Sequence, residues 1–153
     1  MLSFRQKDVV NQLKQRFREN KFQANQPDPI TGKTELHIKA EAGLDEVVRY
    51  LRRGLEVTID HQDVNGNTPL NSVIQSKTLF PAQKDKVIRE LLAGGANAML
   101  PNNDGDTPLM NLYHLRQECG DNGLRGLISK WINEVQKVID KKSRTESISD
   151  RLH

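Results

Sequence analysis

Apolar residues along this chain come in short bursts at helical spacing, separated by polar, glycine-rich connectors. Val9, Val10, Leu13 and Phe17 recur every three or four positions, which places them on one stripe of a helix. Arg5, Lys7, Lys14, Arg16, Arg18 and Lys21 fall mostly on other faces. Ser3 followed by Gln6 has the form of a capping box, so a helix is predicted over about residues 3–22. It cannot continue past Pro27 and Pro29.

Six further bursts follow in pairs. Leu36, Ile38 and Ala40 form a short helix opened by Thr34 and broken at Gly43, followed by a longer one with Val47, Val48 and Leu51. Leu70, Val73 and Ile74 follow Pro69, a residue a helix accepts at its first position because that N–H would be unpaired anyway. Val87, Ile88, Leu91 and Leu92 give the partner helix, closed by Gly94-Gly95. Pro108 opens a third short helix with Leu109, Leu112 and Leu115. After a loop at Cys119–Gly123, an apolar stripe runs from Leu124 through Leu127, Ile128, Trp131, Ile132, Val135 and Val138 to Ile139. Beyond Lys141 the chain turns polar, and residues 143–153 are expected to be a frayed, flexible tail.

The start of each pair repeats one motif: Gly32-Lys33-Thr34-Glu35-Leu36-His37, Gly66-Asn67-Thr68-Pro69-Leu70-Asn71 and Gly105-Asp106-Thr107-Pro108-Leu109-Met110. The glycines stand 34 residues apart (66 − 32) and then 39 (105 − 66). Self-similarity at such a period marks stacked supersecondary units that bury a continuous core together. Asp63-Val64-Asn65-Gly66 and Asn102-Asn103-Asp104-Gly105 supply turn residues that tolerate positive φ. Thr68 and Thr107 can cap the helices that follow with their hydroxyls.

These blocks resemble the ankyrin repeat over about residues 28–140, with Val87–Asn97 similar to that family's second helix and closing turn, and Gly43–Val48 to its inter-helix turn. The resemblance implies an all-α ankyrin-repeat solenoid of stacked helix-turn-helix units with projecting turns. It divides the chain into an N-terminal capping helix (1–25), repeats over 26–142 and the tail. The repeats span about 28–61, 62–101 and 102–140, the last ending in a cap helix. Several departures stand out. Glu35 replaces proline in the first repeat, and the Gly-Ala turn is blurred at Gly54-Leu55. Only His37 keeps the family's histidine; with Asn71 and Met110 in its place elsewhere, the Thr–His bond that ties neighbouring repeats should be missing there. An insertion at 76–83 lengthens the second inter-helix loop.

In the ankyrin family, partners meet the turn tips and the concave face of the first helices. The resemblance carries that role onto Ile30, Thr31, Lys33 and Glu41 in the first repeat. In the second it falls on Val64, Asn65, Asn67 and Gln75, and in the third on Asn103, Asp104, Asp106, His114 and Leu115. Ile30, Val64 and Leu115 are apolar where the fold would expose them, which marks contact surface. Leu79 and Phe80 in the inserted loop form a second candidate.

Composition changes this picture little. The chain has 153 residues, enough for one continuous core, with 35% hydrophobic, 28% charged and 5% aromatic residues. A net charge of +3 does not demand a nucleic-acid partner. Locally, the first helix carries six Lys/Arg against Asp8 and Glu19, a net of +4 (6 − 2). It could meet acidic lipid headgroups, nucleic acid or an acidic partner. Phe4, Phe17 and Phe22 read as core or edge residues instead of a base-stacking platform. The lone Cys119 excludes an internal disulfide and fits a reducing compartment. No apolar run approaches a membrane span, and residues 1–8 lack the apolar core of a signal peptide.

Catalytic and metal chemistry find no foothold. His37, His61, His114 and His153 include no pair at metal-ligand spacing. Aligning Gly105 as the turn glycine of a calcium loop puts Leu100 and Asn111 where acids belong. Ala93-Gly94-Gly95-Ala96 lacks the Lys-Ser/Thr of a phosphate loop and follows a helix. The expectation is therefore a monomeric, non-catalytic protein-binding module without cofactor, metal or small-molecule substrate. It would act in the cytoplasm as an adaptor or competitive inhibitor. Degenerate small arrays of this kind also resemble ankyrin effectors that intracellular bacteria deliver to the host cytoplasm or nucleus. The alternatives are a scaffold for nucleic acid or acidic lipid at the basic helix, or an enzyme whose site the sequence does not reveal.

Overall fold

The computed structural model describes residues 4–19 and 23–152, which fold as seven helices with no strand among them. Ser3, Lys21 and Phe22 of the first predicted helix, and the Phe4 side chain, lie outside what is described. The helices are α1 (Phe4–Arg18), α2 (Glu35–Glu41), α3 (Asp45–Gly54), α4 (Pro69–Gln75), α5 (Pro81–Ala93), α6 (Pro108–Glu118) and α7 (Asn122–Arg151). Short helices α2, α4 and α6 lie side by side as an inner layer, and α1, α3, α5 and α7 form the outer one. Each short helix pairs with the long helix that follows it.

The core runs as one seam between the layers. Leu36, Ala40, Val47, Val48 and Leu51 fill it in the first repeat, Leu70, Val73, Ile74, Val87 and Leu91 in the second, and Leu112, Ile128, Trp131 and Val135 in the third. Removing each larger side chain from water stabilises by roughly 1.5–3 kcal/mol. Ile38, expected on the apolar stripe, is 44% exposed. Its equivalent Asn111 meets the preceding repeat through Asn71, and the first repeat has no repeat before it.

Capping follows the sequence. Thr68 Oγ1 accepts from Asn71 N at 3.3 Å and Thr107 Oγ1 from Met110 N at 3.1 Å. Pro69, Pro81 and Pro108 all open helices. The Ser3–Gln6 box falls outside the described residues. Gln6 accepts from Glu46 N at 2.9 Å and donates to Asp45 Oδ1 at 3.3 Å, tying α1 to the start of α3. Val10 and Leu13 are buried there, whereas Phe17, one turn further, is 54% exposed and not part of the core.

The five extra residues of the second repeat (39 − 34) are not all loop. The α4–α5 loop, 76–80, is two residues longer than the α2–α3 loop, 42–44, and α5 is three residues longer than α3. Pro81, Ala82 and Gln83 are thus a first helical turn, because proline fixes φ at a helical value. The predicted loop 119–123 is likewise shorter. Asp121 Oδ1 accepts from Leu124 N at 2.6 Å, so Asn122 and Gly123 already belong to α7.

Past Lys141 the chain stays helical to Arg151, with every described residue exposed, in place of the expected frayed tail. Residues 141–151 contain neither Gly nor Pro. A helix already nucleated on Ile128–Val135 gains a hydrogen bond for each residue it adds.

Candidate functional site

Each connector between repeats turns through a glycine in the left-handed region, with φ of 69° at Gly32, 78° at Gly66 and 84° at Gly105. Successive tips are bonded edge to edge. Val64 N donates to Thr31 O and Asn103 N to Asn65 O, both at 3.0 Å. This approach leaves no room for a side chain at Gly32 or Gly66. A Cβ on Gly66 would stand 2.6 Å from Asn103 Oδ1, and one on Gly32 2.8 Å from Val64 N.

One acceptor braces every tip from inside. Asp28 Oδ1 accepts from Ile30 N and Thr31 N, Asp63 Oδ1 from Asn65 N and Asn67 N, and Asn102 Oδ1 from Asp104 N and Asp106 N. The backbone donors at Thr31 and Ile30 hold the Asp28 carboxyl below its ordinary range.

Below the first two tips, Lys33, Glu41, Asn65, Asn67 and Gln75 line one open groove of about 360 Å³. Five residues predicted from two repeats thereby come together. Asp63, Ser72, Ser76, Lys77 and Thr78 complete the lining and were not on the predicted set. Lys77 was legible only as part of the insertion, and Ser72 had no signal beyond its place on the short helix. Lys33 Nζ lies 2.8 Å from the Glu41 carboxylate across the groove. Asn67 has a second job, since its side-chain oxygen accepts from Asn71 Nδ2 at 2.9 Å and Asn102 Nδ2 at 3.1 Å.

The other predicted residues are not in the groove. Ile30 and Val64 are exposed on the tips, 84% and 56%, with Thr31 beside them. Asp104 and His114 are exposed, Asp106 is half-buried, and Asn103 turns back to donate to Val64 O at 2.9 Å. Leu115 is a correction. It is half-buried and packs on the core, because it follows Leu112 by one helical turn on the same face. The inserted pair splits: Leu79 packs over Gly43, while Phe80 is 73% exposed.

The repeats are tied together differently at their two junctions. Fully buried His37 accepts from Thr34 N at Nδ1, 3.3 Å, which puts its proton on Nε2 for donation to Asn67 O at 2.8 Å. Burial holds His37 below its ordinary pKa, a pull only partly opposed by the Asn67 carbonyl. In the second repeat the Thr–His bond is absent, as Asn71 implied, but the tie is not. Asn111 Nδ2 donates to Asn71 Oδ1 at 2.7 Å, and with the Asn67 contacts this makes an asparagine ladder from repeat to repeat.

No family model matches the sequence, and a search of curated proteins finds no match. Solved structures do match. An ankyrin repeat domain from Acinetobacter baumannii is 27% identical over 70% of this chain and 48% of its own, with a TM-score of 0.57. The ankyrin repeat domain of Bcl-3, an IκB-family protein, is 20% identical over 78% of this chain and 48% of its own, also at 0.57; at that identity it shows the fold. The chain spans about half the length of these structures.

Proposed function

Since the chain is an ankyrin-repeat-like protein, a class whose general use is protein interaction, we propose that it is a non-catalytic adaptor or competitive inhibitor. It would hold a partner protein in the groove under the first two turn tips. The observation that carries this reading is the convergence of Lys33, Glu41, Asn65, Asn67 and Gln75 on one concavity from two different repeats. The braced tips support it further. Their backbone amides are satisfied internally, so a partner meets a preorganised surface and little ordering entropy is lost on binding. Ile30 and Val64 add exposed apolar contacts beside a polar groove, the pairing of anchor and polar rim that specific interfaces use. Side-chain amides and a paired Lys–Glu suit a polar, extended loop of the partner. Among the described residues no helix is long and apolar enough to cross a membrane.

Pull-downs with wild type, a groove variant (Gln75→Arg with Lys77→Glu) and a tip variant (Val64→Glu with Asp106→Lys) test the reading. The groove variant should lose the proteins that wild type retains, and the tip variant should weaken them. An unchanged captured set with both variants would discard this surface.

A further inference from the structure

A second concavity lies on the outer layer, where α1 runs beside α3. It is an open, shallow concavity of about 370 Å³ lined by Val10, Glu46, Arg49, Tyr50, Arg53 and Gly54. Its floor is apolar. Val10 is 8% exposed and Tyr50 half-buried. Gly54, one turn beyond Tyr50, leaves space for the ring, since a Cβ there would stand 3.2 Å from Tyr50 Cε2. Phe17, two turns along α1 from Val10 and 54% exposed, extends the apolar strip.

The rim is cationic. Lys14 Nζ sits 5.8 Å from the centre of the Tyr50 ring. Arg53 is exposed and makes no ion pair among the described residues. Arg49 is already answered by Glu90 of α5 at 2.6 Å, so the unanswered charge belongs to Lys14 and Arg53. Over residues 4–18, α1 carries Arg5, Lys7, Lys14, Arg16 and Arg18 against Asp8, a net of +4 (5 − 1). A face that only had to stay solvated would need no apolar floor beneath its charges.

We propose that the α1–α3 groove docks an acidic amphipathic helix of another protein. Its apolar side chains would seat on Val10 and Tyr50 and reach towards Phe17, and its carboxylates would face Lys14 and Arg53. The strip's length along α1 matches anchors at i, i+3/i+4 and i+7 of a bound helix. The charge complement selects an acidic one. A phosphate backbone has nothing to place on the apolar floor. The surface is separate from the groove under the tips, so either assignment can fail alone.

The test is fluorescence anisotropy with a labelled synthetic peptide of about 18 residues, leucines at i, i+3/i+4 and i+7 and glutamates elsewhere. Its controls are a scrambled peptide of the same composition and vesicles of phosphatidylcholine with phosphatidylserine. The amphipathic peptide should bind at least about ten-fold more tightly than the scrambled one. Lys14→Glu with Arg53→Glu, and separately Tyr50→Ala, should each weaken it by a similar factor. Lys77→Glu in the other groove should leave it unchanged. Circular dichroism checks each fold; if Tyr50→Ala unfolds, the surface pair and the scrambled peptide still decide. Equal binding of the scrambled peptide, indifference of a folded Tyr50→Ala variant or of the charge reversal, or capture by vesicles without peptide binding would overturn the proposal.

Discussion

The two junctions of the inner layer do the same mechanical task with different chemistry. Between α2 and α4 a buried imidazole bridges Thr34 and the Asn67 carbonyl. Between α4 and α6 four amides, Asn67, Asn71, Asn102 and Asn111, pass hydrogen bonds along a ladder. Both satisfy buried polar groups that would otherwise cost about 1–3 kcal/mol each. The difference lies in redundancy and in charge. The histidine is a single bolt that can titrate, whereas the ladder has several rungs and none of them does.

The largest effect should therefore come from the bolt. His37→Ala leaves Thr34 N and Asn67 O without their partner and opens a cavity in a fully buried site, a loss of about 3 kcal/mol. Asn71→Ala should cost less, about 2 kcal/mol. Asn67 Oδ1 keeps its bond from Asn102, and half-buried Asn111 can turn to water. Urea denaturation of the two variants ranks them, and the reverse order would break the comparison.

The turn tips extend it. Gly66 and Gly105 share a left-handed φ, yet only Gly66 has a neighbouring tip against it; nothing lies within 4 Å of a Cβ on Gly105. Gly105→Ala should show the conformational penalty alone, about 1 kcal/mol. Gly66→Ala adds a clash with the Asn103 backbone and should cost about 2 kcal/mol or more, as the tips must part. Equal losses would mean that the tip ladder contributes little to holding repeats together.

These contrasts also show what the sequence could reveal. Helix pairs, caps and tip glycines were legible because each depends on neighbours within a few residues. The resemblance, not the period, named Lys33, Glu41, Asn65, Asn67 and Gln75 as candidates; that they border one concavity came only with the structure. The asparagine ladder was not legible, because Asn71 finds its partner 40 residues away at Asn111, and a missing histidine reads only as a lost bond. Phe17 misled for a related reason: period places a residue on a stripe but does not say how far the partner helix extends. The same limit hid Pro81–Gln83, where a count of inserted residues could not divide loop from helix.

Titration separates the junctions without a mutation at the second. His37 is held below its ordinary value of 6.5 in the folded protein. The unfolded chain then binds more protons, so stability is full above pH 6.5 and falls as pH drops through it. The slope is at most about 1.4 kcal/mol per pH unit. Glu90, held below 4.5 despite its burial by the hydrogen bonds of Arg49 and Arg52, contributes loss only at lower pH. Denaturant midpoints between pH 7.5 and 5 should decline in the wild type and flatten in His37→Asn. A slope that survives the substitution would place the titrating group elsewhere.

The smallest effect sharpens the comparison from the functional side. Lys33 and Glu41 are paired at 2.8 Å in the groove beside the first junction, with about a third of each side chain exposed. Such a pair is screened and entropically costly to hold, so Lys33→Ala with Glu41→Ala should change stability by no more than about 0.5–1 kcal/mol. His37, in the same repeat, is the opposite kind of residue, buried and without a surface to offer. If the proposed groove binds, the double variant should lose the partner while its denaturation curve stays near that of wild type. A conservative change at His37 should move the curve and leave the affinity of the remaining folded protein near normal. Should the Lys33–Glu41 variant unfold as readily as the histidine one, the pair would belong to the junction and the groove would lose two of its binding residues.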